Sequence, residues 1–502
     1  MRHLVVCCDG TWNTSDQESA GVPAPTNVCR LHNALATHDG KGNPQVPYYH
    51  PGVGTGGGLD RLVGGALGIG LSANIQGAYH WIASQYRPGD LISLFGFSRG
   101  AYTVRSLGGM IGTCGVVDLG DRSPAGAWEL VESLYHRCYR DGDRSVLEGL
   151  PFHVDPADPV PIEFVGVWDT VGSLGVPDTF GLINLLDPGD AHRFHDVTLN
   201  EAIPHGRHAM ALDEVRGSFA PTPWSPPTGG QVVRQVWFPG CHSDVGGGYA
   251  ETGLSDGALR WMMDEAADAV GLAFRPGTRG QVRPEPHGVL HDSWRGFYRK
   301  MSSRPRTVPL IHPDHPDATV HSSAHDRQAD PPITHENYRQ TRVLGPGGSA
   351  TVPVYASDPW NATGLWLQPG RYTLTATGEW LDAGVPATAD GTHGVHPGRW
   401  LHLAGTLLDA GENIIRAATG NQLAEAPLSR RYDDLRWMEL VCTVANGVID
   451  ASGKWHPHQR LSLREDCHVI EPGYLYAYAN DAWAAYGNNR GSISLTVTRS
   501  PD

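Results

Sequence analysis

The chain has 502 residues with 38 basic and 53 acidic side chains, a net charge of −15, and its lack of any basic run excludes the clustered positive surface that nucleic-acid binding requires. Its length exceeds the roughly 250–300 residues at which a single core stops growing, so more than one domain is expected. No apolar run reaches membrane-span length and the first eight residues are too short for a signal peptide, which points to a cytoplasmic protein or to one exported whole by a specialised secretion system. Eight cysteines without CxxC spacing give no zinc motif or disulfide framework.

In chain order, the first half alternates buried strands with helices, the pattern of a mostly parallel sheet covered on both faces. The strand His3–Cys8 leads into the loop Asp9-Gly10-Thr11-Trp12-Asn13. A helix is predicted over Val28–Thr37. The glycine-rich stretch 52–70 lacks the Gly-Lys-Ser/Thr ending of a phosphate loop and reads as an approach to a helix over Ser72–Tyr86.

The strand Leu91–Phe97 ends in Gly96-Phe97-Ser98-Arg99-Gly100 and runs into a helix over Ala101–Ile111. GxSxG alone is weak in a chain with 63 glycines, but a buried strand before it and a helix after it make a nucleophile elbow with Ser98 at its tip. Ser98 as a merely structural turn is the competing reading. After a helix over Ala125–Arg140, the strand Ile162–Trp168 delivers Asp169, and the strand Val232–Pro239 is followed by Gly240-Cys241-His242-Ser243-Asp244. Ser98, Asp169 and His242 thus occur in the order nucleophile, acid, base of an α/β-hydrolase, each just past a strand end. An Asp after a strand more often caps a turn, and 25 histidines compete for the base, so sheet order is the main support.

Backbone amides at Thr11 and Arg99 could form the oxyanion hole. Asp9, which precedes the serine and so is not read as the triad acid, orients its loop, hydrogen-bonds to the elbow or binds an ion, and Asp244 is either a carboxylate supporting the triad or a rival acid. A helix over Ser255–Val270 should stop at Gly271.

Residues 304–348, rich in Pro, His and Asp, read as a linker or an extended wrap over the surface. His321 and His325 within it are at helical spacing but read as solvated loop side chains. From 349 to 502, short alternating strands separated by Gly, Pro, Asn and Asp predict a β-sandwich. The domains are therefore 1–303 catalytic, 304–348 linker and 349–502 accessory.

The ordered motifs CDGTWN, GFSRGAYTVR, FVGVWDTVGSLG and WFPGCHSDVGGGY, together with His291-Asp292-Ser293, resemble an uncharacterised α/β-hydrolase domain family that includes type VI secretion lipase effectors. The resemblance covers residues 1–340. It implies an α/β-hydrolase fold, cleavage of phospholipid acyl esters, and Ser98, Asp169 and His242 as nucleophile, acid and base, with no cofactor for catalysis.

The segment Asn480-Asp481-Ala482-Trp483-Ala484-Ala485-Tyr486-Gly487-Asn488-Asn489 resembles calcium-dependent galactose-binding lectins of the PA-I type. That resemblance implies a galactose-binding-like jelly roll. It implies Ca²⁺ held by Asp481, Asn488, Asn489 and the Ala485 carbonyl, with a further carbonyl near 380–383, where Asp382 stands in place of a tyrosine, and a sugar site near His396-Pro397. A tight Asn-rich turn is the alternative.

The expected function is a serine esterase or lipase acting on an ester or lipid, with an accessory domain that takes calcium and carbohydrate. Two alternatives stay open: a non-enzymatic glycan-binding protein on a degenerate hydrolase scaffold, and a metal-dependent phosphoesterase using Asp9, Asp169, Asp244 and His242 as ligands.

Overall fold

The structure is a computed structural model that describes residues 1–10, 17–19, 21–52, 65–171, 198–227, 229–300, 302–335, 337–392, 430–449, 455–463 and 466–501. Six strands form the central sheet: β1 (His3–Cys8), β2 (Gln45–His50), β3 (Leu91–Phe97), β4 (Ile162–Trp168), β5 (His205–Ala211) and β6 (Val232–Phe238). Their spatial order is β6-β5-β4-β3-β1-β2, and every pairing is parallel.

Alternate side chains of the strands serve opposite faces, and both faces are covered. Leu4, Val6, Cys8 and Leu94 pack with α2 (Gly65–Gln85) and α3 (Arg99–Cys114). Val5, Cys7, Phe95 and Phe97 pack with α1 (Asn27–Ala34) and α6 (Gly253–Val270). This double burial is why β1 and β3 read as continuous apolar runs.

Two strands escape that signal. β2 is an edge strand with half-exposed positions, and its Pro47 is tolerated because β2 pairs with β1 alone. β5 is buried despite its polar residues, which find partners instead. Arg207 bonds Glu265 at 2.5 Å and the Val232 carbonyl at 2.6 Å, and His208 Nε2 accepts the Thr170 amide at 3.1 Å.

The helix expected over 125–140 is an α-helix, α4 (Pro124–Ser133), that widens into a π-helical stretch at Leu134–Arg140. α6 ends at Gly271 in the left-handed conformation (φ 74°, ψ 18°), the stop that only a residue lacking a β-carbon takes without strain.

Residues 304–348 hold a helix, α7 (Ser322–Ala329), with His321 accepting at its N-terminus from the Ser323 amide. Val308, Ile311, Val320 and Ala324 join a small apolar core with Met210 and Trp237 on one side and Trp366 and Tyr474 on the other. The segment thus packs between its two neighbours.

Apart from three two-stranded ladders, the remaining described strands form two sheets that are antiparallel except for one short parallel pair. Arg342–Val343, Asn361–Leu367, Gly473–Ala479, Leu440–Ala445 and Gln459–Leu461 make one. Ser349–Tyr355, Asn489–Arg499, Gly370–Asp382, Val385–Thr388 and Gly391–Thr392 make the backbone of the other. Leu365, Leu440 and Leu475 from the first share one apolar cluster with Leu374, Trp380 and Leu495 from the second. Among the described residues, no helix is long and apolar enough to cross a membrane.

Candidate active site

The sheet order changes direction between β1 and β3, and at such a switch point the strand ends leave a crevice. Asp9 follows β1 there and Ser98 follows β3. Ser98 has φ 57° and ψ −121°, so the chain reverses sharply before α3 begins. Two glycines make the turn possible. A β-carbon on Gly96 would lie 2.4 Å from the Gly100 carbonyl oxygen, and one on Gly100 would lie 2.1 Å from that of Cys8. The Ser98 amide donates to the Trp168 carbonyl at 3.1 Å, tying the elbow to β4.

Asp169, one residue past β4, is fully buried and also has a positive φ, 38°. Its amide donates to the Ala209 carbonyl at 2.7 Å, and its Oδ1 accepts the Ala211 amide at 2.9 Å. His242 opens a short helix, α5 (His242–Gly246), after β6. Its Nδ1 donates to Asp169 Oδ2 at 2.5 Å, and its ring lies between Phe97 at 4.6 Å and Phe219 at 4.9 Å. Asp169 and His242 are therefore joined directly. Ser98 adjoins Phe97, the residue against His242, but among the described residues no hydrogen bond connects its hydroxyl to the imidazole.

Sequence reasoning missed the strongest partner of Asp169. Arg306 sits in the stretch expected to be a linker, yet its Nη1 donates to Oδ1 at 2.6 Å and its Nη2 to Oδ2 at 2.9 Å. The guanidinium is oriented by the carbonyls of Ala211 at 2.8 Å and Phe219 at 2.6 Å. Burial would raise the Asp169 carboxyl, but Arg306 and then His242 outweigh it and hold the group well below the usual carboxylate range.

Glu214 was also missed. It accepts the His242 amide at 3.2 Å, Ser293 Oγ at 2.9 Å and a two-point contact from Arg216. Burial pushes its carboxyl up, and Arg216 brings it down to about 2. Arg216 lies over the Phe219 ring at 3.6 Å, so this pair supports one wall of His242.

Asp9 is a local anchor, accepting from the Gly10 amide at 2.7 Å, Thr26 Oγ1 at 2.5 Å and Tyr49 Oη at 2.8 Å. Asp244 accepts the Cys241 amide at 3.0 Å and His291 Nδ1 at 2.6 Å, with His291 stacked on Tyr249. It thus builds the loop that carries His242. Thr11 lies outside the described residues, as does the His396-Pro397 region. Arg99 is the first residue of α3. Asp169 and His242 pair with each other while Asp9 and Asp244 have partner sets of their own, and among the described residues no three His, Cys, Asp or Glu side chains are grouped to hold a metal.

At the C-terminal end, Asp481 and Asn489 are buried and bonded to each other, Asn489 Nδ2 to Asp481 Oδ2 at 2.8 Å. Asn489 Oδ1 is buried without a partner. Asn488 is exposed on the adjoining turn, its amide donating to the Ala485 carbonyl at 3.0 Å. Asp382 pairs in register with Asn489.

Residues 2–265 match the catalytic domain of the Tle1-like phospholipase effectors of type VI secretion. The chain belongs to this family. Every residue of the elbow, Asp169 and His242 fall inside the matched Tle1-like domain, whereas Arg306 lies beyond it. An uncharacterized protein of Saccharomyces cerevisiae is 28% identical over 248 residues, which are 45% of this chain and 34% of that protein. The chain thus spans about a third of the length of the curated relative it matches. A solved structure of an uncharacterized protein from Pseudomonas aeruginosa is similar at 18% identity and a TM-score of 0.32, over 57% of this chain and 49% of that one.

Burial lowers the pKa of His242, with Asp169 opposing in the other direction. A base must be neutral to accept a proton, and burial keeps His242 neutral to lower pH. If His242 is the base of an ester hydrolysis, the acid limb of its kcat/KM should therefore have its midpoint below the ordinary imidazole value of 6.5. A pH–rate profile on a neutral ester checks this, and a midpoint above 6.5 would contradict it.

Proposed function

We propose that the protein is a serine hydrolase that cleaves acyl esters of phospholipids. Ser98 attacks the ester carbonyl, His242 takes its proton and returns it to the leaving alcohol, and Asp169 holds the imidazole tautomer through Nδ1. The amide of Arg99 at the start of α3, together with that of Thr11, would donate to the developing oxyanion. Residues 1–303 supply the catalytic α/β-hydrolase fold.

The observation that carries this reading is the 2.5 Å bond from His242 Nδ1 to a buried, ionised Asp169, with a serine at φ 57° following Phe97, whose ring packs on that imidazole. Membership of a phospholipase effector family supports lipid as the substrate, delivered through a secretion system. The test is labelling of the purified protein by a fluorophosphonate: modification at Ser98 is expected, and an unlabelled active protein would defeat the assignment.

Residues 349–502 form, on this reading, a sandwich-like accessory domain with a calcium site. The unpartnered buried Asn489 Oδ1 favours it, because an orphaned acceptor beside a carboxylate suits a hard cation. Asp481, Asn488, Asn489 and the Ala485 carbonyl would hold the ion, which would order the turn that presents a carbohydrate. Calcium at a hundredfold excess over its Kd should stabilise the protein by about 2.7 kcal/mol. Asp481→Ala should remove that gain in thermal unfolding with and without EDTA. An equal midpoint in both conditions for the unsubstituted protein would remove calcium from the account.

A further inference from the structure

The arginines around the site differ in how their charge is met. Arg306 is paired with Asp169, Arg216 with Glu214 and Arg207 with Glu265. Arg99, next in sequence to Ser98, has no such partner. Among the described residues its side chain makes no hydrogen bond and no ion pair, and its Nη1 is buried and unsatisfied, while its carbonyl accepts from Thr103 Oγ1 at 3.1 Å. The residue as a whole is only half-buried, so a ligand can reach it.

Its backbone position is set by β1. Gly100 packs against the end of β1, which fixes the first turn of α3 beside the elbow. The titratable group that acts on the guanidinium is Tyr298. Tyr298 lies 6.4 Å from Phe219, which in turn packs on His242. Phe97, two residues before Arg99, packs on the imidazole at 4.6 Å, so Arg99 leaves the elbow next to that contact.

A partly buried guanidinium without a counter-ion is costly, and burial, opposed by Tyr298, brings its pKa down to about 10. That cost disappears when an anion docks. An arginine satisfies a phosphate through two parallel charge-assisted bonds. In a glycerophospholipid the phosphodiester is only a few bonds from the acyl ester. A cation on the residue next to the nucleophile is therefore correctly placed to receive it.

We propose that Arg99 is the phosphate receptor of the site, binding the phosphodiester of the lipid whose acyl ester Ser98 attacks. The inference rests on the hydrolase reading for its setting, but its binding test does not need turnover. In Ser98→Ala protein, dihexanoyl phosphatidylglycerol below its micelle concentration should bind with a Kd that rises about tenfold to a hundredfold when Arg99→Gln is added. Dihexanoylglycerol, which lacks the phosphate, calibrates the change that any loss of packing would cause, and the ratio of the two Kd values is the readout.

In active protein, the ratio of kcat/KM for the phosphodiester lipid over the neutral one should fall by a similar factor in Arg99→Gln and be partly restored in Arg99→Lys. A binding ratio unchanged within about twofold would overturn the proposal, as would inorganic phosphate binding as tightly as the lipid. If binding depends on Arg99 while no ester is hydrolysed, the hydrolase reading fails and the phosphate site stands.

Discussion

Ser98→Ala should lower ester hydrolysis by at least about 10⁴-fold, because the remaining oxyanion donors and binding contacts retain only a small part of the rate. Its stability should stay within about 0.5 kcal/mol of the parent. The second expectation follows from the local geometry. Among the described residues the Ser98 hydroxyl has no hydrogen-bond partner to lose, and alanine keeps the same backbone at φ 57°. Ester assays paired with urea unfolding separate the two effects. Full activity in the variant would remove Ser98 from the chemistry, and a large loss of stability would make the elbow a structural turn.

Arg306→Met should destabilise the protein by about 3–5 kcal/mol, the usual cost of removing one member of a buried ion pair. The variant leaves Asp169 with His242 and the Ala211 amide, and strands the Phe219 carbonyl that Arg306 also held. The pH dependence gives an independent check. The Asp169 carboxyl is held below its ordinary value of 3.8, so it contributes stability above that pH and loses it as pH falls toward the depressed folded value. Without Arg306 the folded value rises and that contribution shrinks, so acid unfolding of the variant should depend less steeply on pH. Arg306→Lys should recover part of the stability but not the two-point geometry. Wild-type stability in Arg306→Met would show that the pair is energetically idle.

The parts of the site that could be read from the sequence share one physical cause. Ser98 and Asp169 each sit just beyond a strand whose two buried faces force an apolar run, and His242 follows β6, of which only the last three residues, Val236–Phe238, are buried, so strand ends and loop residues stand out together. The β5 strand and Glu214 do not stand out, because polar residues such as Arg207 and His208 are buried there with partners far along the chain. Arg306 is the extreme case: it reaches Asp169 across 137 residues, out of a Pro-rich stretch with no periodicity. No local pattern encodes a contact of that range. The short elements around 304–348 were hidden for the same reason, since their core is assembled from residues on both sides.

Residues 303–307 touch more than the acid. Trp360 Nε1 donates to the Ser303 carbonyl at 3.0 Å, His458 Nε2 donates to that of Pro305 at 2.8 Å, and Thr307 Oγ1 donates to that of Gly447. Within five consecutive residues, Arg306 thus clamps the Asp169 carboxylate while Ser303, Pro305 and Thr307 hold the turns beside the C-terminal strands. A chain cut at 303 would discard the clamp along with the accessory half. The two halves are consequently not interchangeable modules: a graft that replaced the C-terminal strands would have to preserve the seat of this pentapeptide, or the electrostatics of Asp169 would change with it.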